Sequence, residues 1–319
     1  MDKILSSVEK VVEHSKQVSI DNVALRVFAN SLKPEEFEGE LTLFEKDDEL
    51  TLDDSIAFGF VYNAVNFSYW GEPKWTYTVD GEDKGGGIGM LHALLRGIHD
   101  GYNLLSSEYL KTMSISEIKE LLRANIEIPL LNERLIMLRT LGDCISSRYD
   151  GSFTTFIDDA DWDAVKIVEK LVDEMPDVFN DEGSYEGSKV RFYKRAQLVP
   201  SHLHELWLLG ISDMDVTSLD KMTALADYKV PQVLRKCGVI QYTPELARKV
   251  DSTVELASGS EEEVEIRAMT VWAIELLAQH MRKRGIEVNS LQIDHALWFR
   301  GRQKSPNDKP YHHTRTVWY

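Results

Sequence analysis

The sequence predicts an all-α fold carrying one small β-hairpin, and three observations lead there. Apolar residues recur at helical spacing through most of the chain, as in Ile4, Leu5, Val8, Val11 and Val12. Cap and stop signals bracket those stretches. Ser114–Glu117 is a capping box, and Thr243 stands as an N-cap before Pro244. Only Trp75–Val79 alternates like a strand, and Asp80-Gly81 follows it as a hairpin turn.

Taken in order, residues 3–16 form an amphipathic helix, and Ser19-Ile20-Asp21 caps a second over Asn22–Leu32. Residues 33–53 are acidic and irregular; Asp53-Asp54-Ser55 then opens an apolar helix over Ile56–Val65. Gly85-Gly86-Gly87-Ile88-Gly89 lacks the Lys-Ser/Thr ending of a phosphate loop and follows no parallel strand, so it reads as a turn into a helix over Met90–His99. Helical patterns continue over 106–149, with Leu130–Tyr149 as a long amphipathic stretch, and over Asp161–Met175. Asn180–Ser188 reads as a polar loop, a candidate division between two helical lobes of one domain spanning 1–319. Val190–Leu209 is predicted as one long helix bent at Pro200, and Asp220–Tyr228 and Pro231–Gly238 as two short helical pieces. Helices from Thr243, over Glu261–Arg284 and over Leu291–Arg300 complete the chain.

Composition narrows the function. The 319 residues carry a formal net charge of -17, which disfavours a grip on long DNA or RNA, because such affinity rests on neutralised phosphates. A small basic pocket stays compatible with that charge. The only cysteines, Cys144 and Cys237, have no metal-type spacing and suit a reducing compartment. The N-terminus is amphipathic and charged, unlike a signal peptide, and no apolar run approaches the roughly 18 residues that span a bilayer. A soluble, cytoplasmic protein is expected, with a monomer favoured and no membrane partner.

Several segments put polar groups where the helical pattern wants none. Asn66, Ser68, Tyr69 and Trp70 end an apolar helix, as a capped aromatic terminus or as a slot for a flat polar ring. Tyr193, Lys194, Arg195 and Gln197 crowd about one turn, as a solvated patch or as an anion contact. Glu265 and Arg267 lie in an apolar helix and suggest a buried ion pair. Asp294 sits among Leu291, Ile293, Leu297 and Trp298, as a cap or as a preorganised carboxylate. The tail brings His312, His313 and Arg315 between aromatics. In "TALADYKVPQ", Asp227, Tyr228 and Lys229 interrupt an apolar run just before Pro231.

Together these segments resemble one family. "NFSYW", "FYKRAQL", "TALADYKVPQVL", "EVEIRAMTVWAIELL", "IDHALW" and "PYHHTRTVWY" look like the motif series of the queuosine salvage proteins, the queuosine 5′-phosphate N-glycosylase/hydrolase family. The order and spacing match from about residue 55 to the C-terminus, and residues 33–53 match least. The resemblance implies a helical fold with a DNA-glycosylase-like helix-hairpin-helix core. It also implies release of queuine from queuosine 5′-monophosphate, for re-entry into tRNA modification. Ile293-Asp294-His295 is similar to the glycosylase segment in which an apolar residue precedes the essential aspartate.

Breaking an N-glycosidic bond builds positive charge on the ribose, which a fixed carboxylate stabilises. The base, a 7-deazaguanine, has no N7 to protonate, so groups at its guanine-like edge must absorb charge. Asp227 and Asp294 are the expected catalytic pair, with their division of labour open. Asn66, Phe67, Ser68, Trp70, Tyr228, His295 and Trp298 are the expected base contacts. Lys194, ahead of Arg195, His312, His313 and Arg315, is the expected 5′-phosphate contact. No cofactor and no metal are expected. The alternatives are a DNA-repair helix-hairpin-helix glycosylase, which needs a basic face, and a nucleotide-binding protein without catalysis.

Overall fold

Short polar side chains decide where the helices start. Asp21 caps the helix Asn22–Ser31 by accepting from the Val23 and Ala24 amides. Ser114 and Glu117 form a reciprocal capping box on Ile115–Leu121, and Thr243 caps Pro244–Asp251 with the proline at its first position. The computed structural model describes residues 2–37, 49–303, 305 and 308–319. Most of the acidic 33–53 stretch lies outside them. The described residues form fifteen α-helices and three two-stranded antiparallel sheets, a mainly helical fold. None of these helices is long and apolar enough to cross a membrane.

The chain folds into two compact units that interleave in sequence. The first comprises Met1–Leu41, Asp181–Lys194 and Asp220–Arg315; the second comprises Thr42–Asn180, Arg195–Leu219 and Thr316–Tyr319.

The first unit is built around the helix Glu261–Lys283. Val264, Ile266, Ala268, Val271, Ile274, Leu277 and Ala278 are all buried, so nearly every face of this helix is covered. The helices Asp2–His14, Asn22–Ser31, Lys229–Lys236 and Ser290–Arg302 pack on it. The strands Val18–Ile20 and Ile240–Tyr242 pair with Ser19 opposite Gln241. Glu182–Tyr185 pairs with Ser188–Arg191 through a Glu186-Gly187 turn, where both residues have positive φ.

The second unit centres on the helix Leu52–Val65, buried at every position from Ser55 to Val65. Phe60 meets Phe153 and Phe156 with ring centroids 5.2 and 5.4 Å apart. The expected hairpin is present, Thr76–Val79 with Glu82–Gly85, and Asp80 and Gly81 both take positive φ. The helix after it starts at Gly86, four residues earlier than predicted. A Cβ at Gly89 would come within 2.4 Å of the Lys84 carbonyl, so glycine lets the hairpin lie against the helix.

Three predicted elements are corrected. Asn180–Ser188 is no loop but contributes most of a hairpin, so the protein has more than one. Val190–Leu209 is not one helix: Ser188–Arg191 is a strand, Tyr193 has φ +50°, and the helix runs Lys194–Leu208 with Pro200 inside it. Asp220–Tyr228 is a short 3-10 turn, Leu219–Lys221, followed by irregular backbone. The reason lies in where the backbone bonds go. The Leu225 amide donates to Asp294 and the Ala226 carbonyl accepts from Arg267, so side chains take groups that a helix would have paired.

Candidate active site

The irregular 222–228 segment delivers Asp227 to a buried position just before the helix Lys229–Lys236. Asp227 therefore starts a helix rather than ending one. Its Oδ1 accepts from the Lys229 amide at 2.7 Å and the Val230 amide at 3.0 Å, the positive end of that helix. Pro231 falls within the first turn, where its missing N–H costs nothing.

Asp294 reaches the same place from the helix Ser290–Arg302, as its fifth residue and not as its cap, which is Asn289. It is 2 % exposed, and its Oδ1 accepts from the Leu225 amide at 3.0 Å. The two carboxylates feel one another. Burial pushes Asp294 well above the usual carboxylate range, and the charge on Asp227 pushes it further. Burial also raises Asp227, but Lys194 and the two amides oppose the rise. Like charges in a dry site do not both ionise. Of the two, Asp294 is the one held further toward its protonated form.

Lys194 is 8 % exposed and is the last first-unit residue before the chain enters the second. Beside Asp227, the tail covers the start of the helix. Tyr311 stacks on Tyr228 at 4.7 Å and meets the His313 ring at a tilt, 5.1 Å away, and the Lys229 ammonium lies 5.1 Å from the Tyr311 ring. The His313 carbonyl accepts from the Leu256 amide at 2.8 Å, which ties the tail down. His312 is buried; desolvation, Arg267 and His313 hold its pKa down to about 3, so it is neutral at physiological pH. Any contact it makes to an anion is a hydrogen bond without charge. His295, Trp298, His313 and Arg315 are half-buried, and Arg302 lies 5.2 Å from the Trp298 ring.

The predicted residues of the second unit have their own setting. Asn66 ends the helix Leu52–Val65 and accepts from the Tyr69 hydroxyl. Phe67 is buried with the Arg134 and Arg195 guanidiniums 4.3 and 5.0 Å from its ring. Arg195 donates to the carbonyls of Asn63, Ala64 and Val178, which uses its fork inside the unit. Ser68 has φ +46° and its hydroxyl is buried without a hydrogen bond among the described residues. Trp70 is buried.

The expected Glu265–Arg267 pair does not form, because residues two apart leave a helix on different faces. Glu265 instead accepts from Ser15, Tyr185 and the amides of Lys16, Gln17 and Val18. Arg267 pairs with Asp181, which the sequence does not single out. A lone Asp after Asn180, in a stretch read as loop, carries no periodic signal.

A mainly helical protein with two buried carboxylates, both pushed up by burial, beside a lysine is the class that fold and site define. Residues 45–319 match the family described as queuosine salvage protein, and the chain belongs to that family. It is similar to the queuosine 5′-phosphate N-glycosylase/hydrolase of Sphaerobacter thermophilus, at 34% identity over 99% of this chain and 97% of the relative. The protein of that name from Bos taurus is 30% identical over the full length of both chains. That from Mus musculus is 28% identical over 97% of this chain and 96% of its own.

The carboxylate pair has a cost in stability. Asp294 keeps its proton in the folded state to a higher pH than the unfolded chain does, whose carboxylates titrate near pH 4. Its contribution is full below the unfolded pKa and is lost as pH rises through the folded one. Asp294→Asn keeps the shape and an oxygen for the Leu225 amide. It is expected to melt several degrees above wild type near pH 8, with the gap closing toward pH 4 in calorimetry. Equal melting temperatures at both pH values would mean that Asp294 carries no raised pKa.

Proposed function

We propose that the chain hydrolyses the N-glycosidic bond of queuosine 5′-monophosphate and releases queuine. The observation that carries this reading is the burial of Asp227 and Asp294 about one short segment, Asp294 on the Leu225 amide and Asp227 on the Lys229 and Val230 amides, with the Lys194 charge acting on both. The names of the full-length relatives support it.

The Lys194 charge bears on Asp227 ahead of the helix amides, whereas on Asp294 it ranks behind the Asp227 charge and the Leu225 amide. A 5′-phosphate on Lys194 would bring the ribose to the Asp227 side. In this reading Asp227 faces C1′, stabilises the oxocarbenium-like transition state and takes a proton from the attacking water. Asp294 donates its proton to the deazaguanine as the ring takes up the electron pair of the breaking bond. Tyr228, His295 and Trp298 are the first-unit candidates for contact with the base. The proton then returns from Asp227 to Asp294, and the pair is reset. The substrate is a small molecule, and a polymer is not required.

Incubation with queuosine 5′-monophosphate should yield equimolar queuine and ribose 5-phosphate by mass spectrometry. Binding without release of free base would point to a nucleotide-binding protein instead. Release of bases from duplex DNA, weakening steeply with salt, would point to a repair glycosylase.

A further inference from the structure

Asp227 and Lys194 belong to segments more than thirty residues apart, and one guanidinium reaches toward both. Arg267 is 2 % exposed. Its Nε donates to the carbonyl of Ala226, the residue before Asp227, at 3.1 Å. Its Nη1 and Nη2 donate to the two oxygens of Asp181 at 2.9 and 2.5 Å, and Glu263 lies 3.5 Å from Nη1. Asp181, 1 % exposed, accepts in turn from the Lys194 amide at 3.3 Å, and its carbonyl accepts from the Phe192 and Tyr193 amides. The Phe192 ring lies 3.9 Å from the guanidinium carbon. Tyr193, immediately before Lys194, has φ +50°, a region that bulky residues rarely occupy. Such a conformation persists only where the surroundings over-determine it, and Asp181 holds both of its sides.

We propose that Arg267 and Asp181 are positioning residues, a buried strut that fixes the Asp227 backbone and the Lys194 backbone relative to each other. The inference rests on the hydrolase reading for what Lys194 and Asp227 do, but the geometry of the strut does not. A buried ion pair is weak evidence for stability, since desolvation offsets much of its attraction. Its attachment points are the more informative feature: one residue before one functional group and on the amide of the other. A lysine in place of Arg267 cannot hold Ala226 and both Asp181 oxygens at once, because it lacks the planar fork.

The test uses the full chain with 13C-labelled aspartate. The Asp227 carboxyl signal is assigned by its absence in Asp227→Asn and followed against pH. The charged and titratable groups around the site are Lys194, Lys229 and Asp294 near Asp227, and Asp181, Glu263 and His312 near Arg267; all stay in place in the variant Arg267→Lys. That variant is expected to shift the Asp227 midpoint and to lower kcat at least about tenfold, with KM within about threefold, since small misplacements of reacting groups cost rate more than binding. Asp181→Asn, which conserves volume, is expected to lower the preference for monophosphate over nucleoside about tenfold. A folded Arg267→Lys with an unmoved Asp227 titration overturns the proposal, whatever its kcat. Should Arg267→Lys not fold, Asp181→Asn decides: wild-type substrate preference and an unmoved Asp227 titration overturn it. A wild type that releases no queuine removes the hydrolase reading alone, because the Asp227 titration in both variants still reports on the strut.

Discussion

Asp227→Asn is expected to lower kcat on queuosine 5′-monophosphate by at least about a hundredfold, because the lost charge is one that the transition state feels more than the ground state. The fold should tolerate the change. Asparagine keeps an oxygen to accept from the Lys229 and Val230 amides, so the start of the helix stays capped. In wild type, kcat/KM should be bell-shaped in pH. The acid limb reports protonation of Asp227 and the alkaline limb loss of the Asp294 proton, and both midpoints lie above the ordinary carboxylate range in the directions found for the two groups. Single-turnover measurement of queuine release separates chemistry from product release. Wild-type single-turnover rates in Asp227→Asn would exclude this carboxylate from the chemistry.

Lys194→Ala is expected to erase most of the preference for monophosphate over nucleoside. A charge-assisted contact contributes roughly 1.5–3 kcal/mol, so the ratio of kcat/KM values on the two substrates should fall about ten- to a hundredfold. Part of the effect should appear in kcat, since a held phosphate orients the ribose against Asp227. Lys194 also opposes the rise in the Asp227 pKa. Its removal should therefore shift the acid limb to higher pH on both substrates. Equal losses on phosphorylated and unphosphorylated substrate, without that shift, would make Lys194 a structural residue and move the phosphate contact to His313 or Arg315.

The limits of the sequence are visible in particular residues. The helix Glu261–Lys283 and the capping residues Asp21, Ser114 and Thr243 were legible because their signals are local: periodicity within a few turns and a polar side chain two or three residues from an amide. The Asp80-Gly81 hairpin was legible for the same reason. The second hairpin, with Glu186-Gly187 at its turn, was missed because its strands set Tyr185 and Val190 among Glu182, Gly183, Lys189 and Arg191, too few apolar residues for period-two alternation to show. Asp227 and Asp294 were singled out as charges in apolar surroundings, though the sequence suggested a helix end for one and a cap for the other.

By itself, the sequence determined the mainly helical class and the family, since these depend on residue type, spacing and motif order. Tertiary structure alone decided how strongly each carboxylate is pushed toward its neutral form. That outcome depends on burial, on two amides and a lysine around Asp227, and on the negative charge of Asp227 acting on Asp294 across 67 residues of chain. Tertiary structure also decided that 222–227 is not helical, because Asp294 and Arg267 bond backbone groups that a helix would have used, and these partners are distant in sequence. The electrostatics of a buried site arise from what the fold brings within a few ångströms, and local sequence carries no term for it.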